Sequence, residues 1–193
     1  MMDTWVFQAG YPLVRAEWAD GGLLLMQEPF RYLGTGEGRW EVPVVMTAWL
    51  ADGSRETIKV QLTTEPVTVP LPPDTESVLV NQGAWGFYRV AYDPALWSAL
   101  LARREDLTSL ERLSLIDDAW ALVQANTATL SHVVPLWRTL AQEEDPDVWG
   151  TASRQLGFLE EFVLPDERPM VQAFIRAIGQ PLLDRLGWEP APH

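Results

Sequence analysis

Phe87-Tyr88-Arg89-Val90-Ala91-Tyr92-Asp93-Pro94 is the stretch at which this chain changes character. Phe87–Tyr92 reads as a short strand, and Asp93-Pro94 places an aspartate cap before a proline at the first helical position, a helix start. Before this point the hydrophobic pattern has period two. Thr57-Ile58-Lys59-Val60-Gln61-Leu62-Thr63 alternates without exception, which puts Ile58, Val60 and Leu62 on one face of a half-buried strand. Further strands are predicted at Leu13–Trp18, Leu23–Phe30, Trp40–Leu50, Val67–Leu71 and Ser77–Asn81, with tight hairpin turns at Asp20-Gly21 and Asp52-Gly53. About seven short strands at this spacing make an antiparallel sandwich. Pro43 lacks an N–H for a ladder, so its strand is expected to lie at an edge or to bulge there.

After Asp93 the pattern is helical. Pro94–Arg104 is predicted as a short helix. The next starts at the capping box Thr108-Ser109-Leu110-Glu111 and carries Leu110, Leu113, Ile116, Trp120 and Val123 at steps of three and four. Ser131–Glu144, Pro146–Phe162 behind an Asp145 cap, and Arg168–Leu186 follow, with Gly179-Gln180-Pro181 expected to kink or divide the last. Short connections predict antiparallel neighbours in a bundle or solenoid, and no fixed period marks a consensus repeat. The expected fold class is therefore α+β in two domains, a β-sandwich over residues 1–93 and an α-helical part over residues 94–193.

The chain has 193 residues, no cysteine and two histidines, His132 and His193. Without thiols there is no disulfide framework, thiolate zinc site, iron–sulfur cluster or cysteine nucleophile, and the composition fits a reducing, cytoplasmic setting. The net charge is −13, from 14 Lys+Arg against 27 Asp+Glu. Such a balance repels phosphate backbones and anionic membranes, so nucleic acid and membrane are not expected partners. No stretch approaches the ~18 apolar residues of a membrane span.

Motifs for chemistry are sparse. No H-E-x-x-H or other close histidine pair is present, and no G-x-S-x-G accompanies His132, which reads as a capping or surface residue at a helix N-terminus. Gly34-Thr35-Gly36-Glu37-Gly38 lacks the P-loop lysine and reads as a hairpin loop. Asp117-Asp118 is the most enzyme-like feature, since adjacent carboxylates can share a proton or a metal. Neighbours on a helix point about 100° apart, however, so the two are not expected to converge. One is expected to face inward and pair with an arginine such as Arg89 or Arg112. The ten tryptophans read as packing residues rather than a carbohydrate platform. No catalytic, cofactor-binding or metal-ligating residue is assigned.

Val80-Asn81-Gln82-Gly83-Ala84-Trp85-Gly86-Phe87-Tyr88-Arg89-Val90-Ala91-Tyr92-Asp93 resembles the V-N-x-G-x-x-G-[YF]-Y-R-V-x-Y-D segment of the gluzincin-type zinc aminopeptidases, the group of aminopeptidase N. Trp5-Val6-Phe7-Gln8-Ala9-Gly10-Tyr11-Pro12-Leu13-Val14 is similar to that family's W-x-x-Q-x-G-Y-P-[VL]-[VL] element, and Leu24–Phe30 to its L-x-Q-x-x-F strand. Glu111-Arg112 with Leu115-Ile116-Asp117-Asp118-Ala119-Trp120-Ala121-Leu122 resembles its D-R-x-x-L-I-D-D-A-F-A-L helix, and Leu186-Gly187-Trp188-Glu189-Pro190 is also similar to its helical domain. Glu111 replaces the usual Asp, and Ala91 stands where Asn is common.

The resemblance implies a piece of a larger enzyme. Residues 1–12 would end the catalytic domain, residues up to Asp93 would form the third-domain sandwich, and residues 94–193 would begin a longer helical domain. The zinc site and the G-x-M-E-N motif of the family match nothing here, so zinc is a cofactor of the implied parent, not of this chain. The implied partners are the catalytic domain of the parent chain and peptides admitted by it. A shortened helical domain would leave an apolar face uncovered, which predicts self-association. The alternative is a free-standing sandwich and helical interaction module without peptidase activity.

Overall fold

The computed structural model describes residues 3–187; Trp188, Glu189, Pro190 and His193 lie outside the described residues. A short helix α1 (Asp3–Val6) precedes seven strands: β1 (Pro12–Ala19), β2 (Gly22–Pro29), β3 (Val42–Leu50), β4 (Arg55–Leu62), β5 (Val67–Pro70), β6 (Thr75–Val80) and β7 (Arg89–Tyr92). Five helices follow: α2 (Pro94–Ala102), α3 (Ser109–Gln124), α4 (Leu130–Arg138), α5 (Pro146–Phe162) and α6 (Arg168–Leu186). The strands form two sheets, ordered β5-β2-β1-β7 and β4-β3-β6. The expected α+β class, sandwich then helices, is what the chain adopts.

Alternation sets the register. Asp20-Gly21 closes β1 onto β2 with Ala19 opposite Gly22, and Gly21 takes φ 85°, which a Cβ would disfavour. The other expected turn, at Asp52-Gly53, joins β3 to β4 with Trp49 opposite Arg55. On β4, Ile58 and Val60 are half-buried and Leu62 is buried, while Thr57, Lys59 and Gln61 are exposed, as the period-two pattern requires.

Several expectations are corrected. β3 is the central strand of its sheet, not an edge, and its irregularity falls at Trp49/Leu50. Pro43 is tolerated because β6 pairs only with Met46–Leu50, so around Pro43 only β4 lies alongside. The 34–38 loop joins β2 to β3 across two different sheets, so it is a crossover rather than a hairpin. β7 joins β1 in parallel, within otherwise antiparallel sheets. Gly179-Gln180-Pro181 does not divide α6. Arg185, beyond the proline, donates to the Ala141 and Glu143 carbonyls at 2.8 and 2.9 Å, anchoring the distal turns. The predicted Ser131–Glu144 helix instead changes to a 3-10 turn at Thr139–Gln142.

Sheet and helices are joined by Asp93. One carboxylate oxygen accepts from the Ala95 and Leu96 N–H groups to cap α2, and the other accepts from Trp18 N at 2.6 Å. Tyr92, one residue earlier, is buried and hydrogen-bonds both the N–H and the carbonyl of Val80 through its hydroxyl. One hydrophobic cluster runs from Val14 on β1 through Trp40, Met46 and Leu96 to Trp137 and Ile178 on α6. The change of pattern at Asp93 is therefore a change of secondary structure within a continuous core.

Candidate functional site at the sandwich–helix junction

The motif segments seen in sequence meet between the loop at residues 81–88 and the outer side of α3. Asn81, Gly83 and Ala84 all take positive φ, at 68°, 69° and 56°. For Ala84 that conformation is strained and needs support. The Asn81 amide supplies part of it, donating to the Gly86 carbonyl and accepting from Gly86 N at 3.1 and 2.7 Å. Glu111 supplies the rest. One carboxylate oxygen accepts from Gly83 N at 2.8 Å, and the other accepts from Thr108 N and its hydroxyl in the expected capping box.

Beside this loop, Arg89 lies between the two neighbouring carboxylates of α3. Its Nη1 donates to Asp117 at 2.8 Å and to Asp118 at 2.9 Å, and the second Asp118 oxygen accepts from Val90 N at 3.0 Å. The carboxylates thus converge, contrary to the expectation from helix geometry, because the guanidinium reaches in from β7 and fills the angle between them. The inward partner is Asp118, with a side chain 9% exposed; that of Asp117 is 47% exposed. Burial pushes Asp118 up to about 7 against the opposing pull of Arg89 and the Val90 N–H. Burial pulls the Arg89 pKa down, and its hydrogen bond and charge interaction with Asp117, then the charge of Asp118, outweigh it and hold the guanidinium further above its usual value. Around this network a hollow of about 370 Å³ opens between the loop and α3, with Tyr11, Phe87, Leu110 and Leu113 among its walls. Phe87 and Trp85 stand out from the loop, 70% and 89% exposed.

Arg112, the other arginine considered for the Asp pair, serves a different cluster. It grips Glu143 through Nε and Nη2, both at 2.8 Å, and Arg104 adds a third contact at 2.8 Å. Glu143 is 1% exposed and also accepts from the Glu144 and Asp145 N–H groups at 3.0 Å. Burial alone would raise its pKa; the Arg112 hydrogen bonds, the Asp145 N–H and the Arg112 charge overcome this and hold it near 2. Nothing in the local sequence, Gln142-Glu143-Glu144-Asp145, distinguishes the buried acid from its exposed neighbours.

The described residues do not fit a zinc ion. Among them no group of three His, Cys, Asp or Glu side chains is placed to hold a metal, and His132 is engaged elsewhere. Its ring stacks on Trp97 at 4.2 Å and 20°, and burial lowers its pKa. His132 is thus a packing residue of α4, and Thr129 occupies the N-cap position. The tryptophans divide similarly: Trp40, Trp49, Trp97, Trp120 and Trp137 are buried, whereas Trp85 is exposed. No helix among the described residues is long and apolar enough to cross a membrane.

Residues 77–193 match the model of the ERAP1-like C-terminal domain. The chain belongs to that family. The match starts within β6 and includes the loop, β7 and every helix from α2 onward, so it contains the Arg89–Asp117–Asp118 network and the Glu143 cluster. Relatives extend the similarity to the N-terminal strands. The chain is 30% identical to "Aminopeptidase N" of Plutella xylostella over 206 aligned positions, covering 99% of this chain and 22% of that protein. It is 28% identical to "Glutamyl aminopeptidase" of Sus scrofa, covering 97% and 21%, and 30% identical to "Aminopeptidase Q" of Homo sapiens, covering 78% and 16%. The chain spans about a fifth or less of the length of these curated relatives.

Proposed function

We propose that this ERAP1-like domain chain is a noncatalytic C-terminal portion of a zinc-dependent aminopeptidase of the aminopeptidase N type. Its sandwich acts as a rigid spacer, and its helices help wall the chamber in which peptides are trimmed, so that access depends on size. The observation that carries this reading is the match of nearly the whole chain to a fifth of an aminopeptidase. The continuous core from β1 to α6 supports the spacer role, because sheet and helices then move as one body. In this reading the zinc ligands and the catalytic domain belong to another part of the parent chain, and the compartment is the cytoplasm, which a chain without cysteine suits.

An antibody raised against this chain tests the reading in the source cells. The expected band is several times heavier than 21.8 kDa and co-purifies with chelator-sensitive release of amino acids from aminoacyl anilides. A band at the chain's own mass, with no such activity, favours the free-standing interaction module instead.

Exposed apolar side chains on and between α5 and α6 support self-association of the chain. Phe162 at the end of α5, Leu164 in the connection after it, and Met170 and Leu186 on α6 are each more than 60% exposed, and Phe158 and Leu183 about 40%. The purified chain is expected to shift from monomer to dimer with rising concentration in sedimentation velocity. A strictly monomeric chain that leaves a hydrophobic dye dark removes this reading.

A further inference from the structure

We propose that the hollow between the 81–88 loop and α3 receives the arginine or lysine side chain of a free peptide. The inference goes beyond the reading above, since the isolated chain would bind whether or not it belongs to a peptidase. The lining carries two carboxylates, Asp117 and Asp118, that divide the Nη1 of one guanidinium, Arg89, so the exposed Asp117 is only partly neutralised. Asp118 is consumed from both sides by Arg89 and Val90 N, whereas Asp117 spends only Oδ2 on Arg89 and keeps a side chain nearly half exposed. Its Oδ1 is the acceptor left for an incoming cation.

The walls suit the rest of such a side chain. Phe87 and Tyr11, 5.2 Å apart at 54°, put aromatic rings in the wall beside a cation, while Leu110 and Leu113 offer apolar surface to its methylene stem. An acidic side chain would face the exposed carboxylate of Asp117. A purely apolar one would cover Asp117 and strip its water without replacing it. A hollow of about 370 Å³ is at the small-ligand end of binding sites, matching a side chain with its flanking backbone rather than a folded partner. The loop is already held by Asn81 and Glu111, so binding orders little new chain.

The test is calorimetric titration of the whole 193-residue chain at low salt with two blocked tripeptides, acetyl-Leu-Arg-Leu-amide and the same peptide with citrulline, the uncharged isostere, in place of arginine. The arginine peptide is expected to bind about tenfold more tightly, the combined effect of one ion pair and one cation–π contact. In Asp117→Asn the ratio falls toward one. Ser114→Leu fills the hollow while leaving Arg89, Asp117 and Asp118 themselves unchanged, and is expected to abolish binding of both peptides, so it decides the matter if Asp117→Asn folds poorly. Equal affinity for the two peptides, no saturable binding of the arginine peptide, or binding that survives Ser114→Leu overturns the proposal.

Discussion

Glu143→Ala is expected to destabilise the chain by about 3–5 kcal/mol, measured by urea unfolding near neutral pH. The carboxylate sits 1% exposed between the connection after α4, the 3-10 turn at Arg104–Asp106 and the first turn of α3. Removing it strands Arg104 and Arg112, whose side chains are only 13% and 20% exposed, and orphans the Glu144 and Asp145 N–H groups that begin the approach to α5. The pH dependence provides an independent measure. The folded carboxyl titrates near 2, below its unfolded value of 4.5, so the folded state binds fewer protons across that window. Its stabilisation is complete above about pH 4.5 and is lost as pH falls through 2. A shift of this size corresponds to about 3 kcal/mol. Glu143→Gln keeps the volume but removes the charge, and is expected to abolish this part of the acid sensitivity. A Glu143→Ala loss under 1 kcal/mol would mean that water substitutes for the carboxylate.

Arg89→Met is expected to cost about 3–5 kcal/mol at pH 8 and clearly less at pH 5. The asymmetry comes from Asp118. In the native chain it already titrates near 7, raised by burial from 3.8. The folded state therefore binds more protons than the unfolded state between about 4 and 7, and the group's contribution to stability falls as pH rises through that window. Without the guanidinium, Asp118 keeps only the Val90 N–H as a donor. Its charged form becomes costlier, while at pH 5 the carboxyl can take up a proton. An equal penalty at both pH values would show that Arg89 acts through packing alone, including its contact with the Phe30 ring at 5.3 Å.

The two sites differ in how far they could be read from residues. Arg89, Asp117 and Asp118 lie in motif segments, and an arginine partner for the inward carboxylate follows from the charge balance of a helix facing a core. That both carboxylates meet the same guanidinium does not, since it depends on where β7 is set beside α3. Glu143 carried no signal. Its partners are 31 and 39 residues away, and a Glu-Glu-Asp run ordinarily reads as a solvated helix end. The 34–38 loop and Pro43 depart from expectation for a related reason: alternation specifies which residues face inward, but it does not say which strands are neighbours.

Local structure is written in neighbouring residues: strands in period-two alternation, helix starts at Asp93-Pro94, Thr108–Glu111 and Asp145-Pro146, and turns at the two Asp-Gly pairs. These features depend on residues a few positions apart, whose steric and hydrogen-bonding preferences act within one turn or one strand pair. Long-range packing, by contrast, sets β7 parallel to β1, makes β3 central, buries Glu143, and opens a hollow beside Asp117 between a strained loop and α3. Each of those rests on the close approach of segments tens of residues apart. The free energy there comes from desolvation and the geometry of the joint site, quantities that no single segment carries.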